Sequence, residues 1–170
     1  PLARQENASP AAGDEKTFPR VTALTFERGF ATLSLDKIGY IVFDESAHFE
    51  FLGPMRARLD RGRLKMHVTE PAGHGFVIET PYGEVTDLGT QFGLNIMNDQ
   101  GAGLVVFEGQ VDLRIKRPST DETPGTDRVE RLVRGDGVTF GRSGQIDRIG
   151  AIRRDPMQTF RTARERTPGE

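Results

Sequence analysis

The sequence predicts an all-β domain, built as a two-layered, antiparallel-rich β-sandwich or solenoid-like stack. Three observations predict it. Short apolar runs alternate with polar residues at a period of two, as in Leu64, Met66 and Val68 against Lys65 and His67. That is the pattern of a strand with one face buried and one face wet. Glycine and proline fall between these runs at spacings of roughly ten residues, the punctuation of a sandwich, roll or solenoid. No window of comparable length before residue 150 shows helical periodicity.

Residues 1–20 are rich in Pro, Ala, Gly and charge and offer little to bury, so they read as a linker, mobile at its start. The domain runs from 21 to 150. Leu33 and Leu35 flank Ser34, Phe49 and Phe51 flank Glu50, and Met55, Ala57 and Leu59 alternate with Arg56 and Arg58. Phe92, Leu94 and Ile96 continue the pattern, as do Val111, Leu113 and Ile115. Three units place polar residues and glycine between two runs: Phe26 to Phe30 around Gly29, Leu59 to Leu64 around Gly62, and Phe107 to Val111 around Gly109. Glycine at such places supplies the positive φ of a tight hairpin, with or without a bulge, and the recurrence is read as hairpin spelling or as a weak internal repeat. Residues 116–128 form a polar loop insertion, read as disordered. Strands resume at Val129–Val133, Val138–Phe140 and Gln145–Ile149. The tail, 151–170, holds one short helix after Pro156, with Met157 and Phe160 to dock it, or an end that frays.

A chain of 170 residues is one domain plus flanks at roughly 150 residues per domain. At this size about 70% of the unfolded surface is buried, so a conventional core suffices. The net charge of −2 gives no electrostatic case for nucleic acid or an anionic membrane. The absence of cysteine removes disulfides, thiolate metal sites and cysteine nucleophiles without fixing the compartment. No run approaches the ~20 apolar residues of a membrane-spanning helix. The chain starts at Pro1 and reads as a piece of a longer protein.

The chemistry-bearing residues are few. His48 and His67 sit at strand positions facing away from apolar neighbours, and neither has a second histidine at metal-ligand spacing. There is no Gly-x-Ser-x-Gly elbow, phosphate loop or His-Glu-x-x-His motif. Glu84, Asp87 and Glu108 lie near turns, where an acid pair of a β-scaffold glycosidase is the sharper reading and backbone capping the plainer one. The Thr90 hydroxyl, next to Gly89, is expected to satisfy a backbone group of its turn. With no Trp and only Tyr40 and Tyr82, a sugar-stacking platform has little to be built from. No metal or cofactor is expected, and the chain is not expected to be an enzyme.

One stretch carries an ordered series of motifs. Thr80-Pro81-Tyr82-Gly83 is followed by Asp87-Leu88-Gly89-Thr90-Gln91-Phe92, and then by Val105-Val106-Phe107-Glu108-Gly109-Gln110-Val111. Leu132 to Gly137 adds an apolar segment closed by Gly-Asp-Gly. The series resembles the central signature of the FecR family, over roughly Thr22 to Phe140. The matching positions Thr80, Pro81, Gly83, Asp87, Leu88, Gly89, Thr90, Phe92, Glu108 and Gly109 read as structural turns; the partner-binding residues are unknown.

The resemblance implies a periplasmic, signal-receiving domain of a regulator anchored in the inner membrane. Such a regulator controls an extracytoplasmic-function sigma factor through a cytoplasmic segment not in this chain. The implied partners are proteins of the cell envelope, among them the signalling domain of a TonB-dependent transporter. Membrane contact is expected only through an anchor outside this chain. The alternative is a structural or carbohydrate-facing ligand-binding module of a larger envelope protein.

Overall fold

The computed structural model describes residues 4–6, 23–27, 29–115 and 125–149. Among the described residues thirteen strands form a single mixed sheet. In chain order they are β1 (Arg4–Glu6), β2 (Ala23–Phe26), β3 (Phe30–Leu35), β4 (Gly39–Gly53), β5 (Arg56–Val68), β6 (Val77–Thr80) and β7 (Gly83–Asp87). There follow β8 (Gln91–Ile96), β9 (Ala102–Glu108), β10 (Gln110–Ile115), β11 (Arg128–Val133), β12 (Gly137–Phe140) and β13 (Ile146–Ile149). The expected C-terminal helix and most of the 116–128 insertion lie outside the described residues. Within the stretch read as linker, Arg4–Glu6 pairs antiparallel with β2, so that reading is corrected for these three residues.

The pairing shows how one sheet makes two layers. β5 pairs with β4 along its length. On its other edge it pairs with β6 over Arg56–Arg58, in parallel, and with β8 over Gly62–His67. From this branch one layer continues as β6-β7-β10-β11 and the other as β8-β9-β12-β13. The chain passes from one layer to the other at β7→β8, β9→β10 and β11→β12, and none of these pairs of strands bonds to each other. At β9→β10 only Gly109 intervenes, so the strand bends at a corner; β7→β8 turns over residues 88–90, and β11→β12 turns over residues 134–136, where Asp136 donates its amide to the Val133 carbonyl.

The hairpin reading of the glycine units is corrected accordingly. Gly109 joins β9 to β10, which lie in different layers. Gly62 lies inside the continuous strand β5, where pairing with β4 jumps from Asp44↔Arg63 to His48↔Arg61 and leaves residues 45–47 opposite Gly62 alone. Gly29 separates β2 and β3, which run end to end along β4 rather than against each other. With Gly89 and Gly135, these glycines mark the fold line, with φ from 73° at Gly109 to 95° at Gly62. A β-bulge with a left-handed glycine raises local twist and turns a strand, which is what a corner needs. At two positions glycine is required by space as well. A Cβ on Gly109 would lie 2.3 Å from the Gly89 carbonyl oxygen, and one on Gly62 would lie 2.3 Å from that of Ser46.

The alternation then puts one face of each layer into a common core. In one layer Ile41, Met66, Phe92 and Val106 stand in register across β4, β5, β8 and β9. In the other, Ala57, Ile78, Val85 and Leu113 do the same across β5, β6, β7 and β10. Phe43 and Phe49 lie on either side of the bend in β4 and meet edge to face at 5.1 Å, a favoured aromatic geometry. At the far end, Arg148 on β13 bonds Glu130 on β11 at 2.7 Å. Both lie on inward-facing register positions, opposite Val138 and Leu113, so this ion pair spans the two layers where the core stops.

Substituting the fold line tests this account. Gly109→Val and Gly89→Val should each cost about 2–4 kcal/mol in urea unfolding, because a β-branched residue at positive φ is strained and also meets its neighbours. Gly53→Ala, where a Cβ meets nothing within 4 Å, should stay within about 0.5 kcal/mol. Equal, small effects at all three positions would contradict the corner assignment.

Candidate functional site

The densest stretch of sequence signals folds into the corner between β7 and β8 and the hairpin just before it. Thr80 closes the β6–β7 hairpin. Its Oγ1 accepts the Tyr82 and Gly83 amides at 3.1 and 3.0 Å and donates to the Gly83 carbonyl at 2.9 Å. Pro81 is exposed and Tyr82 is buried, so the two-residue loop turns outward on one side and anchors on the other. At Gly83 the reason for glycine is proximity: a Cβ would approach the Arg114 carbonyl oxygen of β10 to 2.6 Å.

The corner follows at the end of β7. Asp87 is fully buried and its Oδ2 accepts the Gly89 amide at 2.8 Å, a local bond typical of Asp in turns. Leu88 donates its amide to Gln110 and Val68 donates to the Thr90 carbonyl, so the corner is stitched to β10 and β5 at once. Thr90 is buried, but its hydroxyl has no hydrogen-bond partner, which corrects the expected role: its carbonyl makes the tie, not its side chain. Phe92, fully buried, seats the start of β8 in the core. Gly109 stacks against Gly89, while Glu108, just before it, is exposed.

The structure does not bring the three turn carboxylates together. Glu84 lies at the other end of β7 from Asp87 and, three residues away, on the opposite face. There it accepts Arg56 at 2.7 Å. Glu108 is exposed at the end of β9. Glu84 belongs to a charged row on the outside of the layer, in which Arg58 bonds Glu79 at 3.1 Å and lies 3.9 Å from Glu50. Partial burial pushes Glu79 up, but Arg56 and Arg58 more than offset it and hold the carboxyl below its usual range. Beside this row, Arg131 grips Asp112 with two bonds of 2.8 and 2.9 Å and lowers its pKa. Ion pairs that stay partly in solvent, as these do, contribute little stability each; they keep the face wet.

His48 and His67 are half-covered rather than free in solvent. His48 shares a 2.9 Å bond with Thr25, and His67 shares a 2.8 Å bond with Tyr40 and packs on its ring. Among the described residues no three His, Asp or Glu side chains form a metal-sized group. His74 is the residue that the sequence reading passed over. Its ring lies against Gly89, where a Cβ would come within 2.5 Å of Nε2, and its charge favours the Asp87 carboxylate. The one signal for it was its place between Gly73 and Gly75, just ahead of Phe76.

Burial pushes the Asp87 carboxyl up to about 6, against the Gly89 amide, His74 and the Thr90 amide, which favour its ionised form. The corner therefore holds a carboxyl that titrates close to neutrality, with one oxygen lacking a protein partner. Such an atom is ordinarily satisfied by an internal water.

A model of the FecR protein family matches residues 29–112, which spans β3 to β10 and contains the whole corner. Among solved structures, a candidate anti-sigma factor from Parabacteroides distasonis is similar in two crystal structures. The 1.65 Å structure superposes with a TM-score of 0.61 at 15% identity, covering 77% of this chain and 60% of that one. The 2.50 Å structure gives 0.60 at 16% identity, covering 85% and 73%. At this identity the likeness establishes a shared fold, and the chain spans about 60% of the length of the first of them. The curated proteins contain no match.

The raised Asp87 pKa makes stability depend on pH with a definite sign. A folded pKa of about 6 against an ordinary 3.8 means the folded state holds the proton more tightly. The stabilisation is full below about pH 4 and is lost as pH rises through 6, on the order of 3 kcal/mol in all. Asp87→Asn, which keeps an acceptor for the Gly89 amide, should remove most of that loss. Urea melts at pH 4.5 and 7.5 check it: the variant gains on the wild type at the higher pH, whereas parallel shifts at both would contradict it.

Proposed function

Because residues 29–112 of this chain belong to the FecR family, we propose that it is the signal-receiving domain of a sigma-factor regulator, working by protein–protein contact rather than by catalysis. The family match carries the reading. The shared fold with a candidate anti-sigma factor supports it. The site geometry fits the same picture: the signature residues Thr80, Gly83, Asp87, Gly89 and Gly109 spend their hydrogen bonds and their lack of side chains on the backbone corner. Recognition then falls to the surfaces which that corner positions, namely open strand edges and the charged outer rows.

On this reading the domain stands on the periplasmic side of an inner membrane to which the full-length protein is anchored. Its envelope partner is a protein such as the signalling domain of a TonB-dependent transporter, and the sigma factor is reached through a segment on the other side. Strand edges suit such a role, since an added strand gains main-chain hydrogen bonds without needing a preformed pocket.

The test is transcriptional. Deleting residues 29–149 from the chromosomal gene should change the transcripts of genes sharing one alternative-sigma promoter class, and the same set should respond, to a smaller extent, to Gly109→Val through destabilisation of the folded domain. A transcriptome unchanged by both alleles, in conditions where the protein is made, would overturn the proposal.

A further inference from the structure

Among the described residues β1, β3, β11 and β13 are each paired on one side only, and β1 is three residues long with two of them charged. Proteins usually guard such edges with charge, proline or shortness, because an unguarded edge pairs with another chain. β13 has four residues, two of them charged. β11 is Arg-Val-Glu-Arg-Leu-Val, with charge at its first, third and fourth positions. β3 is Phe-Ala-Thr-Leu-Ser-Leu, six residues without a charge or a proline.

The side chains of β3 also leave the core unfinished. Ala31, Leu33 and Leu35 pack against the buried cluster yet remain only partly buried. They end rows that are elsewhere closed: Leu33 pairs with Ile41, and Ala31 with Phe43, both fully buried. On the outer face Phe30 is 58% exposed, with Thr32 and Ser34 beside it in the alternation. A strand laid on this edge thus needs apolar residues on one face, small polar ones on the other, and no charge.

β3 itself meets that requirement. Two copies related by a two-fold axis perpendicular to the sheet must pair with an even sum of residue numbers, since otherwise inward residues would face outward ones. The register centred on Leu33 sets Leu33 against Leu33, and Ala31 against Leu35 in both directions. The outer face then sets Thr32 against Ser34 twice, a hydroxyl pair of the kind that stabilises neighbouring strands. The register centred on Thr32 aligns fewer apolar residues and sets Phe30 against Ser34. The corresponding self-pairing of β11 sets Arg131 against Arg131 or Glu130 against Glu130. We propose that the edge of β3 joins a second copy of this chain, antiparallel and centred on Leu33, so that two domains share a continuous sheet and close each other's apolar rows.

The test uses the 170-residue chain, which has no cysteine of its own. Sedimentation should show a reversible monomer–dimer equilibrium. Thr32→Lys, on the exposed outer face, should weaken it about tenfold or more while leaving the melting temperature of the monomer unchanged. Register is read by mixed oxidation. Thr32→Cys and Ser34→Cys proteins, combined, should form a mixed disulfide faster than either forms a disulfide with itself. A chain that stays monomeric at all concentrations would overturn the proposal. So would a Thr32→Lys dimer of undiminished affinity, or Thr32→Cys linking to itself as fast as to Ser34→Cys.

Discussion

The Gly89 carbonyl rests against the α-carbon of Gly109, closer than any side chain allows, and the rest of the molecule depends on that approach. It lets two bent strands nest at the fold line, so that Leu88 reaches Gln110 and Arg134 reaches the Gly109 carbonyl. The next corner repeats the arrangement, with Gly135 donating to Val106 and Val106 to Asp136. A sheet folded this way has no separate loops to bury. The same backbone groups that turn the chain also carry the ladder across the corner, which answers the requirement that buried peptide groups be paired.

Folding the sheet here has a cost, and it falls on Asp87. The carboxylate that holds the Gly89 amide is taken fully out of water. Its pKa rises because desolvation outweighs the amides and His74 that favour its charge. One corner thus supplies both the bend and a group whose protonation is linked to the stability of the fold. The outer faces behave differently. There Arg56, Arg58, Glu79 and Glu84 form half-exposed pairs, and Arg131 with Asp112 an exposed one, and they set surface character more than stability.

Much of this was legible in the sequence. Period-two alternation located most of the strands, and the inward residues of β5, β8 and β10 are those the alternation selects, from Leu64, Met66 and Val68 to Val111, Leu113 and Ile115. The family signature was legible because its residues answer to strict local demands: a threonine that caps a hairpin, and glycines with no room for Cβ. What could not be read was partnership. Gly62 and Gly109 lie between apolar runs just as a hairpin glycine would, and only the identity of the neighbouring strands separates a corner from a hairpin. That information lies up to dozens of residues away, as in the pairing of β5 with β8. The same reason hid the Glu130–Arg148 pair and the position of His74 against Gly89. The Thr90 hydroxyl was misassigned because local turn chemistry suggests a bond that the buried geometry does not make.

If the fold line is what unites the two layers, they should open together. Native-state hydrogen exchange measures this at the amides of Val68, Leu88, Val106 and Arg134, which cross or flank the corners. These amides should exchange only through global unfolding, with the same opening free energy as core amides of both layers such as Phe92 and Leu113. Exchange at those four amides through a lower-energy opening, with one layer still protected, would show that the layers are held by their core alone and would contradict it.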